Sequence, residues 1–225
     1  MRLASSVFSE DERQQINDAV IAAESKTSAE IIPVIATESG RYDRPEDMAG
    51  LTCGVVSVIV AWALFQRVDD LSGKWGEPQL ALGLPLLALI LIVGVAFGTI
   101  LANRVGWVKS LFTPRNQMRD EVLARARQVF FDHRVHHTER TTGLLIFLSL
   151  FERQAVILAD QKALGALGSE HIDTLCRQLT SDLRKIGLTA ALCRVVEDAG
   201  DSFAEPLPPT DGDRNELPDA LVMID

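Results

Sequence analysis

Residues 80–102 read LALGLPLLALILIVGVAFGTILA, and residues 49–65 read AGLTCGVVSVIVAWALF. Neither run contains a charged side chain. The longer covers about 23 residues and the shorter about 17, against the roughly 20 that a helix needs to cross about 30 Å of hydrocarbon. Pro85 and the glycines inside the longer run would weaken a soluble helix, but membrane spans tolerate them. Core helices of soluble proteins rarely stay uncharged for so long. The pair therefore predicts a transmembrane hairpin, residues 49–102, with spans at about 49–65 and 80–102.

The two spans support each other. One crossing would leave the flanking halves on opposite sides of a bilayer, whereas two return the chain to the side it left. The connection 66–79 holds Asp69, Asp70, Gly73, Gly76 and Pro78, and is too short and polar to be a domain. The soluble mass is expected from residues 1–48 and 103–225, folded together around the insertion. Trp62, Trp75 and Trp107 suit an interfacial belt. Arg41 and Arg44 precede the first span, and Arg104, Lys109, Arg115 and Arg119 follow the second, while the connection holds Arg67 and Lys74. That bias predicts a multi-pass protein with its soluble domain and both termini in the cytoplasm.

The bulk numbers agree with such a division. The chain has 225 residues, 47% hydrophobic and 24% charged, so the apolar excess must be concentrated. The net charge of −9 argues against nucleic acid as a partner, because phosphate neutralisation needs a basic surface. Cys53, Cys176 and Cys193 lack metal or redox spacing and read as small buried hydrophobes. The first nine residues carry no apolar signal-peptide core.

Outside the hairpin the periodicities alternate. Ser9 with Glu12 is a capping-box pattern, and Ile16, Val20 and Ala23 follow at helical spacing, predicting a helix over about 10–25. Residues 29–37, AEIIPVIAT, read as a strand buried on both faces. Pro33 predicts an edge position or a bulge there, since it cannot donate to a ladder. Thr113 and Pro114 look like the N-cap and first residue of a helix over about 115–132, with a stripe of Met118, Val122, Ala126, Val129 and Phe130. Residues 143–150 and 155–160 read as two strands of a β-hairpin. Ser169 is expected to cap a helix that Gly187 ends, and a last helix follows from Leu188 to about Phe203. The tail 205–225 reads as irregular, with LVMI as a short closing strand. This order predicts an α/β class, a sheet covered by helices on both faces.

At this point the residues resemble a known family. The runs TSAEI at 27–31, TERTTGLLIF at 138–147, ER then AVILAD at 152–160, and DRNELPD at 213–219 together resemble the TPM domain family, in its bacterial membrane-protein branch. The resemblance covers about 1–48 and 105–220. It implies a three-layer α/β/α sandwich, TPM-like, with the hairpin inserted. Relatives include acid phosphatases, binders of divalent cations and auxiliary factors of membrane complexes, so it implies little about activity.

Candidate chemistry is sparse. Asp160 stands at the carboxyl end of a strand, where open sheets often place sites, and Glu30 and Glu152 lie near strand ends. Asp160 with Glu30 would offer carboxylate oxygen to Ca2+ or Mg2+. Alternatively, His133 with His136 or His137 has the spacing that sets two imidazoles on one helical face, although Arg134 and Arg140 would repel a cation. Histidines there also suit a helix C-terminal dipole. The tail acids Asp211, Asp213, Glu216 and Asp219 lack EF-hand order. The sequence holds no phosphate-binding glycine loop, nucleophile elbow or HExxH. The expected function is a non-catalytic interaction or assembly module, anchored in the lipid bilayer and serving a membrane protein complex. The rival is a divalent-cation-dependent acid phosphatase at the membrane surface.

Overall fold

The computed structural model describes residues 3–65, 82–105, 112–135, 142–209 and 220–225. Several expectations lie outside these residues: the hairpin connection, Trp75, Trp107, Lys109, His136, His137, Arg140 and the tail acids Asp211, Asp213, Glu216 and Asp219. The chain divides into two compact units. One comprises residue 1 with 41–115, and the other comprises 2–40 with 116–225.

The larger unit is mixed α/β. It runs α1 (Ala4–Val7), α2 (Glu10–Glu24), β1 (Glu30–Ala36), α5 (Arg115–Asp132), β2 (Gly143–Ser149), β3 (Gln154–Ala159), α6 (Gln161–Leu167), α7 (Ser169–Lys185), α8 (Leu188–Ala204) and β4 (Val222–Ile224). The other unit holds α3 (Asp43–Phe65) and α4 (Leu84–Arg104).

The four strands form one mixed sheet in the order β3-β2-β1-β4. β1 pairs in parallel with β2 and with β4, and β2 pairs antiparallel with β3. Alternation along β1 and β2 divides their side chains between two cores. Ile31, Ile35, Leu144, Ile146 and Leu148 pack with residues of α2, α6, α7 and α8. Ile32, Val34, Ala36, Leu145 and Phe147 pack with Val122, Ala126, Val129 and Phe130 of α5. Both faces of the central strands are therefore dry, which is why these strands read as continuous apolar runs.

Local chemistry sets the helix starts. Ser9 Oγ accepts from Glu12 N at 3.3 Å, and Ser9 N donates to Glu12 Oε2 at 2.9 Å, closing the capping box expected at α2. Glu10, Asp11 and Glu12 add negative charge to its first turn, where the helix dipole favours it. The expected stripe of α5 is buried at every position, although the helix begins at Arg115, just after Pro114. α7 departs from expectation at its start. Ser169 is its first helical residue, and Gly168, at φ 78°, takes the cap position with no side-chain bond.

Pro33 sits within a strand flanked on both sides, yet its missing N–H costs no ladder bond. β4 meets β1 only at residues 34–36. On that side Thr37 N donates to Ile224 O at 2.8 Å, and Ile31 N donates to Glu24 Oε1 at 2.9 Å. Pro33 lies between them by strand alternation, at the stretch β4 does not cover. Among the described residues β1 is thus central along one half and an edge along the other, and the proline occupies the edge half.

Candidate functional site

The sheet has two chemically different ends. At the amino end of the parallel strands, Glu30 is in register with Gly143. Asp160 N donates to Gly143 O at 2.8 Å, which sets Asp160 in the same row. The expectation that Asp160 occupies the ligand-bearing carboxyl edge is therefore corrected. β3 runs against its neighbours, so its carboxyl end lies at the amino end of β1 and β2. Asp160 is also the N-cap of α6, where Oδ1 accepts from Gln161 N at 2.6 Å. Oδ2 is buried with no partner among the described residues.

Of the imidazole alternative only His133 is described. α5 ends at Asp132, His133 follows in a turn, and Arg134 has a left-handed φ of 55°. His136 and His137, the partners of His133 in that alternative, lie outside the described residues. Among the described residues, no group of three or more His, Cys, Asp and Glu side chains is placed to hold a metal ion.

At the carboxyl end the acids are tied into the backbone. Glu152, in the turn between β2 and β3, is buried; its Oε1 accepts from Ser39 N at 2.9 Å and its Oε2 from the Ser149 hydroxyl. Asp225 accepts from Ser5 Oγ at 2.5 Å, Ser5 N at 3.1 Å and Thr37 Oγ1 at 3.1 Å. The Ser5 hydroxyl, then the Ser5 amide, hold its carboxyl below the usual carboxylate range. Both acids join loops that follow different strands. Glu152 was legible as a strand-end acid; Asp225 was not, because its role depends on β4 pairing with a strand far away in sequence.

One Ser–His contact occurs on the outer helices, His171 Nε2 to Ser202 Oγ at 2.9 Å. Ser202 Oγ donates to Asp198 O at 2.6 Å, so its proton is committed to its own helix rather than to the imidazole.

The other unit carries a different kind of surface. Residues 46–65 have a mean hydropathy of 2.1 and Leu84–Arg104 of 2.7, and both helices are long and apolar enough to cross a membrane. Only 17% and 11% of these segments are buried, unlike core helices. Leu51, Ile59, Leu64, Ile92, Phe97 and Ile100 are all exposed. The inner faces are small. A Cβ on Gly94 would stand 2.9 Å from Gly54 Cα, and one on Gly98 would stand 3.0 Å from both Ala49 O and Gly50 Cα. Such backbone approach is how helices gain packing energy where water gives no hydrophobic drive. Thr52, Ser57 and Thr99 donate to the carbonyls of Met48, Cys53 and Val95, at 2.7, 2.8 and 3.0 Å, so their hydroxyls are satisfied within the helices.

Gly98→Leu is accordingly expected to destabilise the helix pair by about 1–3 kcal/mol through overpacking against backbone that has nowhere to move. The thermal midpoint in detergent should fall by several degrees, while Ile100→Leu, at a position 61% exposed, leaves it unchanged. Equal midpoints would mean that α3 and α4 do not pack through these glycines.

No protein-family model and no curated protein matches the chain. A solved structure does: the NMR structure of the BA42 protein from the psychrophilic bacterium Bizionia argentinensis. It is similar at a TM-score of 0.54 and 18% identity, over 96% of this chain and 94% of that one. The likeness shows a shared fold.

Proposed function

We propose that the chain is a membrane-anchored TPM-type protein, a non-catalytic interaction or assembly module for a membrane protein complex. In this reading α3 and α4 form a transmembrane hairpin, and the α/β unit is a three-layer α/β/α sandwich with both termini in the cytoplasm. The observation that carries it is the pairing of two long apolar helices whose outward faces stay exposed while their inner faces are small and close-packed. Such outward faces suit lipid, or the apolar helices of a partner embedded in lipid. The engagement of Glu152 and Asp225 in holding loops supports a binding role over a catalytic one.

The test uses the full chain in its native membrane. Alkaline carbonate should leave it in the pellet, reporters on both termini should be active in the cytoplasm, and mild-detergent extraction should return it in a complex larger than itself. Release by carbonate would remove the anchor from the reading. Turnover of a generic phosphoester that needs divalent cation and disappears in Asp160→Asn would replace the module by an enzyme.

A further inference from the structure

The α/β unit contains a half-open cavity of about 470 Å³ at the carboxyl end of β2, beside the turn into β3, the last turns of α7 and the start of α8. We propose that it binds a small amphiphilic oxyanion, a carboxylate or phosphoryl head carrying a compact apolar body.

Three observations converge on that chemistry. The first is the wall. Leu148, Leu150, Leu183 and Leu188 line the cavity, and its volume falls within the range of about 300–1,000 Å³ common for small-molecule sites. Apolar walls of this kind accept an aromatic ring or a short chain. The second is the charge. Arg153 and Arg184 also line it, and no carboxylate among the described residues does. Neither guanidinium has an acidic partner among the described residues, where the ion pairs are Arg13–Glu10, Lys26–Asp201 and Arg194–Asp182. The neighbouring Glu152 instead accepts bonds from Ser39 N and the Ser149 hydroxyl. Two arginines without acidic partners among the described residues at one cavity, in a chain of net charge −9, form a local cationic site against the general field. Guanidinium forks match the planar or tetrahedral oxygens of carboxylate and phosphate.

The third observation is the backbone. Arg153 has φ 53°, a left-handed conformation that glycine or asparagine adopts more easily. The turn therefore carries a long cationic side chain at a position where a turn alone would favour a smaller residue. The dipole of α7 accounts for basic residues in its last turn, Arg184 and Lys185 alike. It does not account for Arg153, nor for the placement of both arginines over the same leucines. The cavity also lies at the carboxyl end of a parallel strand, the edge where open sheets place their ligands.

The test takes the full chain in phosphatidylcholine nanodiscs at low ionic strength and titrates it calorimetrically with four soluble probes. Phenylphosphonate and benzoate carry both the head and the body, inorganic phosphate carries only the head, and benzyl alcohol only the body. Phenylphosphonate or benzoate should bind with a Kd of about 1 mM or tighter, and their ratio identifies the preferred oxyanion. Inorganic phosphate and benzyl alcohol should each bind at least about tenfold more weakly. Arg153→Gln/Arg184→Gln should weaken the better probe about tenfold or more. Thr180→Phe, which places a ring in the cavity that Thr180 helps line, should abolish binding even if the arginine variant fails to fold. The proposal is overturned if neither amphiphile binds at about ten times that concentration, or if affinity is unchanged in either variant with a wild-type melting profile.

Discussion

Replacing residues 41–115 by about six Gly and Ser residues should yield a folded protein that needs no detergent. Two observations argue for it. Residues 2–40 and 116–225 already cluster as one unit without the intervening segment. The cut ends are also close. A side chain on Gly40 would meet Glu121 Cγ at 2.8 Å, so residue 40 lies against the first turns of α5. From Glu121 back to Asn116 is about 7.5 Å at the helical rise, a gap that a short flexible linker spans with slack. The exposed leucines, isoleucines and valines of α3 and α4 depart with the excised segment. The expected product is monodisperse in aqueous buffer, shows mixed α/β circular dichroism and melts cooperatively. Aggregation, or a spectrum without helix, would mean that the α/β unit depends on the helix pair for its fold.

Phe147→Ala should cost about 3–5 kcal/mol, the range for truncating a fully buried aromatic ring. Phe147 is fully buried in the centre of β2, in register with Val34 on one side and Val156 on the other. Its ring packs in the cluster formed with α5, which is the smaller of the two cores and has fewer elements to close a void. At the usual scaling for a chain of this size the thermal midpoint would fall by about 6–20 °C. Ile21→Ala, at a position 50% exposed on α2, is the control and should stay within about 1 kcal/mol of wild type. A Phe147→Ala midpoint as high as that of the control would show that the second core is not packed as described.

Elements defined by local spacing were legible. The stripe of α5, the capping box of α2, the apolar run of β2 and the closing strand from LVMI all depend on residues within a few positions of each other, and each is present. Features set by the long-range parallel pairing of β1 were not legible. The antiparallel β2–β3 hairpin was expected, but which end of the sheet Asp160 occupies depends on the parallel pairing of β2 with β1; its side chain serves α6, a short helix with little apolar periodicity that the sequence reading does not mark. Likewise Ser169 has the composition of a cap, but Gly168 reaches the left-handed geometry that the α6–α7 junction requires. The cavity was invisible for the same reason. Arg153 and Arg184 lie far apart in sequence and meet only through the packing of α7 beside the β2–β3 turn.

The parallel pairing of β1 has a consequence for synthesis on the ribosome. Its first partner, β2, begins at Gly143, and its second, β4, at Val222, with both long apolar helices translated in between. At typical elongation rates β1 waits on the order of ten seconds for β2. Throughout that interval the growing chain must deliver α3 and α4 to their destination while EIIPVIA has no neighbour to pair with. Nascent-chain handling, rather than final stability, is therefore the stage at which this topology is most exposed to failure.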